Sequence, residues 1–258
     1  MKVTQGLLLP LLFLCSVLAV IFPSVGKGVA DKSLVLCFSF EEAEGKETKD
    51  LSGNDNTGAV NGAKWTEDGK RGKALYFDGT SSYVEVSDSK SLNMTDAITV
   101  EAWIYAESYP GDYPRIVMKG YGTAYELDAK NTNSIDWEAN VGGWHECNSG
   151  ANTIALKRWH HVAGTFDGKA MKAFIDGVEK ISCPFSGKLG TTNDVLQIGA
   201  YTPKGSVHFH GVIDEVAIYN RVLSLAEIKQ DMEEGILPTT VNTLGKLAIT
   251  WSRIRTSY

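Results

Sequence analysis

The sequence has little of what metal centres, membrane spans and nucleic-acid binders are built from. Of its 258 residues four are cysteines, and none stand in a CxxC spacing, which leaves no cysteine-held zinc or redox centre in view. Basic charge is not in excess. The 25 Lys and Arg against 31 Asp and Glu give a net charge of −6, so the electrostatic footprint that nucleic acid requires is missing. Only one long apolar run occurs, from Leu7 to Phe22. It contains Pro10 and falls short of the ~20 residues needed to span a bilayer. Hydrophobic residues at 43% and charged residues at 22% exclude disorder or collagen-like repetition as a description of the whole chain. Long stretches of helical periodicity are scarce as well. Glycine, with 26 residues, is plentiful, and with 10% aromatics this points to short strands joined by turns.

The apolar run follows Lys2 and leads through Pro23 and Ser24 to small residues ending at Ala30. A charged start, an apolar core and a small-x-small site form the layout of a secretory signal peptide, with the cut expected after Gly28-Val29-Ala30. Residues 1–30 are therefore read as a signal and the protein as secreted; an uncleaved anchor is the alternative. In an oxidising compartment the three remaining cysteines allow one disulfide. Cys37 lies in an alternating apolar strand as a small buried hydrophobe, and Cys147 and Cys183, which flank loops, are the expected pair.

From Ser33 to Ile218 the period is two. Leu34, Leu36, Phe38 and Phe40 alternate with Val35, Cys37 and Ser39, and Ile98, Val100, Ala102 and Ile104 with Thr99, Glu101, Trp103 and Tyr105. Asp167-Gly168 and Asp176-Gly177 separate three apolar runs, which predicts an antiparallel meander with type I′ turns. One helix is expected after Ser224. Ser224 and Glu227 form a capping box, Leu225, Ile228 and Met232 an apolar stripe, and Gly235 a stop. Past Pro238 a polar linker leads to a tail, Leu244–Tyr258, carrying Lys246, Arg253 and Arg255. The expected organisation is a signal (1–30), one domain (31–235) and a linker with tail (236–258).

Several segments in order carry a family resemblance. They are Leu34–Phe40 leading into Asp50-Leu51-Ser52-Gly53-Asn54-Asp55-Asn56, then Gly72–Gly79, Tyr83–Val86, Ile98–Ile104, Trp159–Gly168 and Phe209–Arg221. Together they resemble the laminin-G-like jelly-roll domains of the concanavalin A-like lectin/glucanase superfamily. The resemblance implies an all-β fold: an antiparallel two-sheet jelly-roll sandwich, here with one short C-terminal helix. Function is less fixed, because this sandwich hosts lectins, adhesion modules and hydrolases alike.

The resemblance also implies a structural calcium between the early loop and the late Ile-Asp-Glu segment. Asp50 and Asp214 are the main expected ligands, with Asn54 and Asn56 beside them, since calcium takes oxygens from carboxylates and amides. Simple turn capping by these Asx side chains is the alternative. Glucanases of the superfamily carry Glu-x-Asp-x-x-Glu on one strand. Here Glu126 and Asp128 match, but Asn131 stands where the proton donor belongs and cannot supply a proton, so no enzyme is expected. Asp136 and Glu138 repeat the i, i+2 spacing without a third acid. Glycan recognition requires an aromatic face with polar neighbours. Two loop groups offer these: Tyr109, Asp112 and Tyr113, with Tyr121-Gly122 nearby; and Trp137, Trp144, His145 and Glu146, with Asn148. Trp65, Trp103 and Trp159 sit inside fold motifs and are assigned to packing. The pairs His160-His161 and His208/His210 lack a third ligand for zinc. Asn93-Met94-Thr95 is a glycosylation sequon. The sequence thus reads as a secreted, non-catalytic recognition module for a glycan or glycosylated surface, with a protein-adhesion module without sugar specificity as the first alternative and a glycoside hydrolase-like enzyme as the second.

Overall fold

The structure, a computed structural model, describes residues 31–202 and 207–236. The expected signal and most of the tail lie outside the described residues. Sixteen strands and one α-helix are described: β1 (Leu34–Phe38), β2 (Glu47–Thr48), β3 (Gly58–Asn61), β4 (Lys64–Thr66), β5 (Ala74–Asp78), β6 (Tyr83–Val86), β7 (Ile98–Ser108), β8 (Arg115–Lys119), β9 (Tyr125–Lys130), β10 (Ser134–Asn140), β11 (Trp144–Asn148), β12 (Trp159–Phe166), β13 (Met171–Ile175), β14 (Val178–Cys183), β15 (Leu196–Ile198), β16 (His210–Tyr219) and α1 (Leu225–Glu234).

Two antiparallel eight-stranded sheets face each other. One runs β14-β13-β12-β7-β16-β5-β4, with β1 also pairing β16; the other runs β11-β10-β9-β8-β15-β6-β3-β2. The period of two explains the core between them. Ile98, Val100, Ala102 and Ile104 of β7 face Leu127 and Ala129 of β9 and Ile135, Trp137 and Ala139 of β10 in one buried cluster. Trp137 is the largest fully buried side chain, and its indole N–H donates to the Thr165 carbonyl at 2.9 Å.

The meander forms as expected, but its two turns differ. Asp176 and Gly177 both adopt positive φ, 51° and 68°, as a type I′ turn requires. Asp167 does not; its carboxylate accepts the backbone N–H groups of Lys169 and Ala170 at 2.8 Å, making a wider loop. Cys147 of β11 and Cys183 of β14 form a disulfide, and Cys37 is free and buried. The bond ties the edge of one sheet to the edge of the other.

The helix closes the outside of the first sheet. Ser224 Oγ accepts from Glu227 N while the Glu227 carboxylate accepts from Ser224 N, the reciprocal cap. Ile228 is buried with Leu34, Cys37, Phe174, Tyr219, Leu223 and Ile236 in a second apolar cluster. Leu225 departs from the expected stripe and is exposed, because its position in the first turn faces solvent. Among the described residues no helix is long and apolar enough to cross a membrane.

Candidate functional site

Strand parity builds a polar face on the outside of the second sheet. In β9, β10 and β11 the odd-numbered side chains enter the core and the even-numbered ones point away from it. The register stacks Glu126, Glu138 and Glu146 in one cross-strand row, and Asp128, Asp136 and Asn148 in the next. β8 adds Arg115, which pairs with Asp128 in register.

Two cations organise these acids. The Arg115 guanidinium reaches Glu126 at 2.7 Å and also pairs with Asp128. Lys130 Nζ bridges Asp136 at 2.7 Å and Glu146 at 2.8 Å. The Tyr113 ring lies over both cations, 4.6 Å from Lys130 Nζ and 5.7 Å from Arg115 Cζ. Trp144 Nε1 donates to Glu138 Oε2 at 2.8 Å, which fixes the indole. Burial pushes the Glu138 carboxyl up to about 7, with the neighbouring Glu126 charge adding to it. Burial likewise raises Asp128 and Asp136, against the pull of their cations.

Above this cluster opens a cleft of about 480 Å³ lined by Tyr113, Arg115, Tyr121, Glu138, Trp144 and Glu146. Tyr121 is half exposed and stacks on Tyr201, with centroids 5.6 Å apart. The cleft therefore combines aromatic faces with carboxylate acceptors on a rigid sheet.

Of the seven side chains expected to touch a ligand, Tyr113, Trp144 and Glu146 meet here. Asp112 stands apart as a loop tie, accepting from Asn131 Nδ2 at 2.6 Å. The structure removes the other three from this cleft. Trp137 is core because its odd position turns it inward. His145 sits on the opposite side of β11 from Trp144 and stacks on Phe185 at 4.0 Å. Tyr109 packs against the core, and burial pushes its phenol up to about 12. Tyr121 and Glu138 join the cleft from the loop and strand in which the sequence shows them. Arg115 and Lys130 carry no local signal; only the pairing of β8 with β9 and of β9 with β10 points to them.

The expected calcium residues make protein hydrogen bonds instead. Asp50 Oδ1 accepts from the N–H groups of Cys37 and Ser52, and Oδ2 from Ser52 Oγ and Asn56 N, so each oxygen already holds two donors. The amides of Asn54 and Asn56 donate to the carbonyls of Leu34 and Val35. Asp214 accepts from the N–H groups of Arg71 and Glu215, and burial pushes its carboxyl up to about 7. An ion at the Asp50 loop would have to compete with the four donors already on its carboxylate. Acidic groups whose oxygens lie within 4.8 Å of one another, and which could hold a metal, occur in the cleft cluster: Glu126, Asp128 and Glu138, and Asp136, Glu138 and Glu146. Arg115 and Lys130 already pair with four of these five acids.

A family model described as the concanavalin A-like lectin/glucanases superfamily, of laminin-G type, matches residues 78–229. No curated protein matches the sequence. Among solved structures, the binding domain of Paraclostridial Mosquitocidal Protein 1 superposes with a TM-score of 0.64 at 19% identity, over 77% of this chain and 51% of that one. Domain 4 of AbnA, an extracellular arabinanase from Geobacillus stearothermophilus, in complex with arabinotriose, gives 0.62 at 22% identity, over 77% and 97%. The botulinum neurotoxin serotype D ligand-binding domain in complex with N-acetylneuraminic acid gives 0.63 at 15% identity, over 79% and 51%. The chain thus spans about half the length of the toxin domains it matches and nearly all of the arabinanase domain. At these identities the likeness is one of fold.

Proposed function

Because the chain belongs to the concanavalin A-like lectin/glucanase superfamily, as a laminin-G-like domain, we propose that it is a secreted, non-catalytic module that binds carbohydrate in the cleft of the second sheet. One observation carries the reading: Tyr113, Tyr121 and Trp144 share one opening with the carboxylates of Glu138 and Glu146. Sugars present apolar C–H faces and a rim of hydroxyls. The rings would stack against the former and the carboxylates accept from the latter. The two similar domains seen with arabinotriose and N-acetylneuraminic acid support a sugar as the class of ligand.

Catalysis is disfavoured by access. Glu126 and Asp128 are fully buried, are tied to Arg115, and do not line the cleft. Asn131, at the third position of the glucanase spacing, faces Asp112. Glu138 and Glu146, which oppose each other and both line the cleft, are the carboxyl pair that favours a hydrolytic reading. The Glu138→Gln variant separates the two: its amide oxygen still accepts from a hydroxyl, so binding is weakened but persists, whereas turnover would vanish.

The first test is a scan of the secreted chain against an oligosaccharide array, in calcium and again in chelator. Saturable binding to one sugar class, lost in Trp144→Ala, is expected. Binding unchanged by chelator would agree with the closed Asp50 loop, and loss in chelator would restore an ion to the site. A blank array with folded protein would turn the reading toward protein-mediated adhesion, and free oligosaccharide that fails to compete with a captured partner would do the same.

A further inference from the structure

The other face of the sandwich carries a second aromatic arrangement. Trp159 lies on the outer side of the first sheet, not among the packing residues where its sequence motif suggests. It is half-buried, on the side of β12 away from the core. The register aligns it with residues of four further strands: Trp159 opposes Tyr105 of β7, Tyr105 opposes Val212 of β16, Val212 opposes Tyr76 of β5, and Tyr76 opposes Lys64 of β4. Four strand spacings make this cross-strand row roughly 19 Å long. The Tyr105 and Trp159 ring centroids are 5.7 Å apart. A hollow of about 630 Å³, larger than the cleft, lies over the row.

Solvent-facing positions at the middle of a sheet are ordinarily polar, so a row holding three partly exposed aromatic rings points to a surface that is covered in use. The borders of the hollow identify the covering group. Along one side His210 connects Ser108 Oγ at 2.7 Å, the Tyr76 hydroxyl at 3.1 Å and Glu107 at 3.3 Å, a fixed set of donors and acceptors. The hollow's lining carries little charge: Lys64 at one end against Asp68 and Glu107, with Lys70 outside the lining and held over the neighbouring Trp103 ring at 4.1 Å. Flat rings, a hydrogen-bonding border and only a slight acidic excess suit an uncharged molecule with C–H faces and hydroxyl edges. The volume falls in the ~300–1,000 Å³ range of small-ligand sites, not the broad flat area of a protein interface.

We propose that the row Tyr76–Val212–Tyr105–Trp159 is a second, independent binding site, for an uncharged oligosaccharide laid across the strands on the face opposite the cleft. The chain would then present two sugar-binding faces back to back, and this second face stands whether or not the cleft binds.

The test is a titration of the full ¹⁵N-labelled chain with arabinotriose, xylohexaose and cellohexaose, following the indole N–H signals of Trp159 and Trp144 separately. The expected result is a saturable shift of Trp159 with at least one of the three. Affinity for that sugar in the variants is read by calorimetry; Trp159→Ala and Tyr105→Ala should weaken it tenfold or more, and Trp144→Ala should leave it unchanged. Trp159→Phe keeps a stacking ring and should hold affinity within about threefold, which separates lost contact from lost folding. Three results would overturn the proposal. One is no shift of Trp159 with any of the three sugars. Another is a Trp159 signal that moves with protein concentration alone, which assigns the face to a second copy. The last is a shift on removing residues 244–258, which assigns it to the tail. Failure at Trp144 alone would count against the cleft and leave this site standing.

Discussion

Trp137 and Gly164 occupy what is nearly one volume. A Cβ built on Gly164 would stand 2.3 Å from the Trp137 ring, so the glycine is set by the indole above it and not by backbone conformation. Gly164→Ala should therefore destabilise the fold by about 1–3 kcal/mol through overpacking, read as a lower midpoint of thermal unfolding. Trp144, seven positions further on, makes the contrasting case, because its even position turns it outward. Nothing in the composition of the segment around Trp137 and Trp144 distinguishes the two tryptophans; only the strand boundary does. Glu138 carries the second prediction at this scale. Its carboxyl is held at about 7 in the folded chain, above its ordinary value, so between about 4.5 and 7 the folded state binds more protons than the unfolded one. Asp214, also pushed to about 7, acts in the same sense. Stability should consequently fall as pH rises through that window. Glu138→Gln removes one of these contributions and should raise the unfolding midpoint at pH 8 more than at pH 5. Equal gains at both pH values would show that Glu138 ionises freely.

Among the elements, β11 couples the stability of the fold to the cleft. It is the outer strand of its sheet and carries Trp144 and Glu146 on one side and Cys147 on the other. The disulfide from Cys147 to Cys183 of β14 closes a loop with a sequence separation of 36. By chain entropy a loop of that size contributes roughly 3–4 kcal/mol. The paired Cys147→Ser, Cys183→Ser variant should lose about that much stability, read as a lower midpoint of thermal unfolding. Where it still folds, it should bind sugar more weakly in the cleft while leaving the Trp159 row unaffected, since β12 lies two strands in from β14. Helix α1 is a smaller case. Ser224→Ala removes a cap and should cost about 1 kcal/mol without touching either aromatic site. Strands, meander and capped helix were all legible in the sequence, because alternation and turn chemistry are local. The cleft was half legible. Tyr113, Trp144 and Glu146 lie in loop-like or unpatterned stretches that attract notice. Arg115 and Lys130 became site residues only through the pairing of β8 with β9 and of β9 with β10, which no local pattern encodes. The Asp50 loop shows the converse. Its Asp and Asn spacing suits an ion, and the same carboxylate oxygens also suit the N–H groups of the turn and of β1, so spacing alone does not choose between them.

For the whole molecule the distribution of charge decides which sugars each face can accept. The chain is acidic, at −6, and the cleft concentrates that sign: Glu126, Asp128, Asp136, Glu138 and Glu146 surround only Arg115 and Lys130. Both cations are already bound to carboxylates, so neither is free to receive a sugar acid. The hollow on the opposite face is lined by Lys64, Asp68 and Glu107, a far smaller acidic excess, and exerts much less repulsion. A sialylated oligosaccharide should accordingly bind the cleft more weakly than its uncharged counterpart, although a domain of the same fold is known with N-acetylneuraminic acid. The repulsion acts over less than about 8 Å at physiological ionic strength, so added salt should narrow the gap between the charged and neutral ligands. Calorimetric titration of the matched pair at low and high ionic strength reads this directly. Tighter binding of the sialylated ligand, weakening as salt is added, would mean that Arg115 or Lys130 leaves its carboxylates to meet the ligand, and the cleft would then be an anion site.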